Sequence, residues 1–82
     1  MSVVVKAVLE SLKQAVEVRE QTDPNHAIQT FSFSLVEPEQ VAAGPEIHDQ
    51  FVSWLKTRFP KRTIRSDGYK KDGYNILVNV LN

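Results

Sequence analysis

The spacing of apolar residues changes period along this chain, and each change marks an element. Val5, Val8, Leu9, Leu12 and Val16 recur at i, i+3, i+4 and i+7, with Ala15 and Arg19 on the same stripe. That is the spacing of a helix with one buried face. Ser2 suits its N-cap, and Lys6, Glu10, Lys13 and Glu17 fall on the solvent side at steps that favour ion pairs. Asp23-Pro24-Asn25 is a turn cluster, so the helix is expected to stop near Gln21.

From Ala27 to Val36 the period drops to two: Phe31, Phe33 and Leu35 alternate with Thr30, Ser32 and Ser34. This predicts a half-buried strand whose odd-numbered residues face the core. Glu37-Pro38 closes it, and a turn or helical stub follows over residues 39–43. Gly44-Pro45 then opens a second helix, with proline suited to the first helical position. Its stripe is Ile47, Phe51, Trp54, Leu55 and Phe59, and Pro60 stops it near Phe59. Glu46 and Asp49 at its start and Lys56, Arg58 and Lys61 at its end suit the helix dipole.

The remainder predicts a β-hairpin, with one arm over Arg62 to Ser66 and a longer one from Tyr74 to Leu81. Between them the tripeptide Asp-Gly-Tyr occurs twice. A turn over Lys70 to Gly73 would set Tyr69 beside Tyr74 but turn Ile64 away from the face of Val78. A bulge at either Gly68 or Gly73 would restore the pairing, so the register stays open. In the last strand Tyr74, Ile76, Val78 and Val80 share the core face, while Leu77 and Leu81 lie on the reverse.

The elements add up to an α+β fold of two layers, α-β-α-β-β. Its three-stranded, mainly antiparallel sheet carries two helices on one face. A right-handed crossover through the second helix would set the first strand parallel to one hairpin arm. Residues 1–82 suffice for a single small domain. Such a layout leaves the reverse sheet face bare in a monomer. Pairing as a homodimer, face to face or along a strand edge, would cover it.

Composition narrows the chemistry. There is no cysteine, which excludes disulfides and thiolate metal sites and fits a reducing compartment; the cytoplasm is the expected location. No apolar run approaches membrane-spanning length, and no membrane association or signal peptide is expected. His26 and His48 lack ligand spacing and read as a turn histidine and an exposed helical one, so no metal or other cofactor is expected. With three glycines there is no phosphate loop, and no serine lies in a nucleophile-elbow context. The chain reads as a non-enzyme.

Charge is sorted by position. Residues 1–55 hold three bases and eight acids, and residues 56–82 hold seven bases and two acids, for a net charge of zero. A local positive surface can therefore exist without a global positive field. The hairpin interleaves Arg62, Arg65, Lys70 and Lys71 with Tyr69 and Tyr74. These six are the candidate binding residues of a small non-catalytic protein-interaction module, an adaptor or inhibitor, with self-association through the sheet as a further expectation. The alternative is nucleic-acid binding. The same cations would meet phosphates, with Lys56, Arg58 and Lys61 extending the surface, and the tyrosines would stack on bases.

Overall fold

The computed structural model describes residues 3–24, 27–70 and 75–81, with Tyr69 and Lys70 described in backbone alone. In chain order the elements are α1 (Val3–Thr22), β1 (Ile28–Ser34), α2 (Pro38–Ala42), α3 (Gly44–Arg58), β2 (Thr63–Lys70) and β3 (Asn75–Leu81). The fold is α+β, a three-stranded antiparallel sheet with its helices layered on one face.

α1 runs one residue past the expected stop at Gln21, up to the turn cluster, because its last residues find partners for the helix carbonyls. The Thr22 hydroxyl donates to Val18 O at 3.0 Å, and the Asp23 N–H donates to Arg19 O at 2.8 Å. The stub after β1 is the five-residue helix α2. Gln40 Oε1 organises its entry by accepting the N–H groups of Val36 and Glu37, both at 3.2 Å. α3 starts with Pro45 in its first turn and closes with Phe59 N–H on Leu55 O at 2.8 Å.

The strand order is β1-β3-β2, with β3 antiparallel to both neighbours. β1 and β2 thus run in the same direction, as the crossover predicts, with the last strand inserted between them. β1 is shorter than its alternating pattern, and the first hairpin arm is longer, reaching Lys70 instead of Ser66.

The register of the hairpin is settled by a bulge. Ile64 pairs with Val80 and Ser66 with Val78; beyond the bulge Tyr69 pairs with Ile76, not with Tyr74. The irregularity falls at Asp67-Gly68, where Gly68 holds φ +83°. Only glycine takes that conformation without a steric penalty, and the extra residue brings Ile64 onto the core side.

Alternate residues of β3 (Ile76, Val78, Val80) meet α1 (Val5, Val8, Leu9, Leu12, Val16) and α3 (Ile47, Phe51, Leu55) in one core. Phe51 is at its centre and fully buried, edge-on to Phe31 (centroids 6.4 Å) and stacked on Trp54 (6.3 Å). Trp54 itself is only partly buried, and the Lys13 ammonium lies 5.6 Å from its ring centroid.

Candidate functional site

Of the six hairpin residues, Arg62 and Arg65 have described side chains, and these two lie in different settings. Arg62 is drawn inward. Its Nη1 donates to Glu20 Oε1 at 2.7 Å and to Gln29 Oε1 at 3.4 Å, and its Nη2 donates to Pro24 O at 3.4 Å. Its guanidinium carbon lies 4.5 Å from the Phe59 ring centroid. One turn earlier Arg58 clamps Glu17 with two hydrogen bonds, Nε to Oε1 at 2.9 Å and Nη2 to Oε2 at 3.2 Å. The same Phe59 ring lies 4.8 Å from Arg58 Cζ.

Two acids of the opening half therefore answer two bases of the closing half, which ties α1 to the α3–β2 junction. Bidentate and charge-assisted geometry makes these stronger than ordinary surface pairs. The hydrogen bond from Arg62 holds the Glu20 carboxyl below its ordinary range, against the opposing effect of burial. Glu17 likewise raises the pKa of Arg58. Gln29, buried at 1% exposure on the odd face of β1, completes the network by donating to Asp23 O at 3.0 Å. A glutamine among phenylalanines is tolerated there because both ends of its amide are partnered.

Arg65 has a different setting. It is exposed and pairs in register with Asn79. Tyr69 and Lys70 lie in β2 after the bulge, opposite Ile76 and Asn75 in backbone register. Lys71 and Tyr74 lie outside the described residues, as does His26. Lys61, before the strand, is exposed.

Arg65 belongs to a second feature, the sheet face away from the helices. Ile28, Thr30, Ser32 and Ser34 of β1 stand there beside Leu81, Asn79, Leu77 and Asn75 of β3. Hydroxyl-to-amide bonds stitch the two strands: Thr30 Oγ1 to Asn79 Oδ1 at 2.7 Å and Ser34 Oγ to Asn75 Oδ1 at 2.9 Å. Leu77 sits between these polar rungs at 39% exposure and Ile28 just beyond the Thr30–Asn79 rung at 50%, both apolar side chains open to water.

The third feature corrects an expectation. His48 is not an exposed helical histidine; its side chain keeps 14% exposure. Its Nδ1 is 2.9 Å from Asp49 Oδ1, and its Nε2 is 2.6 Å from Ser66 Oγ. An ionised carboxylate only accepts, so Asp49 favours the proton on Nδ1 and leaves Nε2 to accept from the Ser66 hydroxyl. The connectivity is that of a Ser-His-Asp relay, but Ser66 Oγ also accepts the Gly68 N–H at 3.0 Å. That bond holds the bulge, and it draws electron density from the oxygen a nucleophile would need. The cluster clamps α3 to the kink in β2. Sequence reasoning missed it because Ser66 is near His48 only through the tertiary fold.

Among the described residues, no three histidine, aspartate or glutamate side chains converge as a metal site requires, and no helix is long and apolar enough to cross a membrane. Compared with family models, with curated proteins and with solved structures, the chain finds no match.

Proposed function

We propose that this chain is a small non-catalytic interaction module that binds an acidic protein partner across the open sheet face on its hairpin side. The observation that carries the reading is the open face itself. Ile28 and Leu77 remain exposed there among stitched hydroxyl and amide groups, with Arg65 at the flank. Apolar contacts set among satisfied polar groups and rimmed by charge are the make-up of a non-obligate protein interface. Leaving out Arg62, which Glu20 engages, the sequence over residues 61–72 holds Lys61, Arg65, Lys70 and Lys71 against Asp67 and Asp72, an excess of positive charge that would steer an acidic surface.

The nucleic-acid alternative is less well supported. It relied on Arg58 and Arg62 as part of a phosphate-binding surface, and both have carboxylates at hydrogen-bond distance. Each phosphate contact forgone removes part of the salt-dependent affinity on which such binding rests. The non-catalytic part of the reading draws on Ser66, whose oxygen accepts the Gly68 N–H within the bulge and lies 3.4 Å from Leu77 O, partners that tie the hydroxyl to the backbone.

The test is affinity capture from the native cell extract with the immobilised chain, run with and without nuclease and repeated with Arg65→Glu and Leu77→Lys. A protein retained by the wild type in both nuclease arms and lost from both variants supports the proposal. Capture that disappears with nuclease transfers the function to nucleic acid. Capture indifferent to both substitutions overturns the assignment of the face. A fluorophosphonate probe should leave Ser66 unlabelled; stoichiometric labelling would make the cluster a nucleophile after all.

A further inference from the structure

The other side of the sheet ends in a groove that the hairpin reading does not use. β1 is an edge strand, and its outer side has no strand neighbour among the described residues. Along that side runs an open groove of about 580 Å³, walled by one flank of α1 and by Thr30, Phe31 and Ser32 of β1. The β1 residues in the wall are informative. Thr30 and Ser32 point to the open sheet face while Phe31 points to the core. A surface that touches all three is the lateral edge of the strand, where main-chain N–H and C=O groups face outward.

The α1 flank supplies the opposite wall. Ala15 and Val18 are exposed on it, Val18 at 52%, and Phe31 lies at the base with 5% exposure. Among the described lining residues Arg19 alone carries a charge. Among the described residues its one ionic contact is loose, Nε to Asp23 Oδ2 at 3.9 Å, too long for a hydrogen bond, and Asp23 is not part of the wall. Arg19 Nε is shielded from solvent and has no hydrogen-bond partner among the described residues, while the side chain as a whole keeps 37% exposure, so an incoming carboxylate would meet the outer guanidinium nitrogens. A guanidinium so placed gains from an incoming carboxylate more than one already clamped, as Arg58 and Arg62 are.

A strand edge with no strand neighbour among the described residues, a shallow apolar wall one helix away and a single loosely partnered cation are the parts of a strand-addition site. We infer that the β1–α1 groove binds an extended peptide segment, which pairs with the β1 edge, lays alternate apolar side chains against Val18, Ala15 and Phe31, and sets a carboxylate on Arg19. The edge gives affinity without sequence; the wall and the arginine select residues of the segment. The favoured occupant is a segment of another protein and not a second copy. A copy presenting its own β1 would bring a strand, Ile28–Ser34, with no acid in it, and that strand would leave Arg19 unanswered.

The experiment is selection of a random octapeptide display library on the immobilised chain, repeated on Arg19→Gln and on Val18→Lys. Thermal melts of both variants check folding: Val18 is exposed on the helix, and Arg19 keeps 37% of its side chain exposed. The wild type is expected to enrich alternating β-branched or aromatic residues with one aspartate or glutamate. On Arg19→Gln the acidic preference should vanish, and the best wild-type peptide should bind about tenfold more weakly. Val18→Lys should abolish its binding. Amide hydrogen exchange must slow within residues 29–33 on adding that peptide, a change that no general loss of stability imitates. No enrichment, enrichment without an acid, protection elsewhere, or a concentration-dependent dimer dissolved by Val18→Lys would each overturn the inference. The last outcome would give the edge to a second copy. None of these outcomes bears on the hairpin face, whose own test uses different residues.

Discussion

β3 presents two regions of opposite character from one run of seven residues. Ile76, Val78 and Val80 are at most 1% exposed, whereas Leu77 between them keeps 39%. The difference does not come from residue type, since leucine is as apolar as its neighbours; it comes from which side of the sheet the helices occupy. One face is committed to holding the molecule together, and the other is left to whatever the molecule meets. The contrast can be broken by substitutions that treat equally apolar residues alike.

The largest effects belong to the covered face. Truncating Ile76 to alanine should cost about 2–5 kcal/mol and Phe51 to alanine about 3–5 kcal/mol, because transfer and cavity costs add in a site with no room to collapse. In a domain whose whole stability is on the order of 5–10 kcal/mol, either loss should move the urea midpoint severely. A change for Ile76→Ala no larger than for Leu77→Ala would mean that the two faces are not distinguished by burial.

The next effect sharpens the comparison between arginines. Arg62 and Arg65 lie three residues apart, yet one is bonded to Glu20 and Gln29 and the other is exposed on the open side. Arg62→Met should cost about 1–3 kcal/mol, since it strands a partly buried carboxylate, whereas Arg65→Met should stay within about 0.5 kcal/mol. The loss should also depend on pH. Because Arg62 lowers the folded-state pKa of Glu20, that stabilisation is complete above the ordinary carboxylate range. It drains away as pH falls through the lowered folded value. The gap in urea midpoint between wild type and Arg62→Met should therefore be widest near neutrality and narrow on acidification; a gap constant with pH would detach Glu20 from it.

These pairs also show what the sequence makes legible and what it hides. The helices and strands were readable because their apolar residues repeat at 3.6 or 2, a local property. The sorting of charge was readable too, but its meaning was not. Glu17 meets Arg58 across 41 residues and Glu20 meets Arg62 across 42, and composition cannot tell an internal pairing from a docking patch. Arg62 thus looked like a binding residue and is found in a structural network. His48 misled in the same way: it read as an exposed helical histidine, and only the fold brings Ser66 of β2 to 2.6 Å from its Nε2. The bulge was half legible. Two glycines could have hosted it, and the choice of Gly68 follows from aligning Ile64 with Val80, a tertiary demand.

Gly68 gives the third prediction. Gly68→Ala forces a Cβ into φ +83° although no heavy atom lies within 4 Å of where it would stand. The cost is one of backbone conformation alone, about 1–2 kcal/mol. Its local signature should be loss of the Gly68 N–H protection supplied by Ser66 Oγ. An unchanged midpoint would mean that the bulge shifts to another residue, and amide exchange along β2 would locate it.

The smallest effect on stability closes the comparison from the open face. Leu77→Lys should change the urea midpoint by no more than about 0.5 kcal/mol equivalent, because the side chain already meets water and its lysine replacement can carry its charge clear of the sheet. Yet a charge set between the Thr30–Asn79 and Ser34–Asn75 rungs should disable any partner that lies flat on them. Sedimentation of wild type and variant over a wide concentration range separates the occupants. Mass rising with concentration in the wild type alone assigns the face to self-association. Two monomers of which only the wild type retains an acidic partner assign it to another protein. A variant that keeps the partner at full affinity would leave Leu77 as an ordinary exposed leucine, and the functional distinction between the two faces would fall with it.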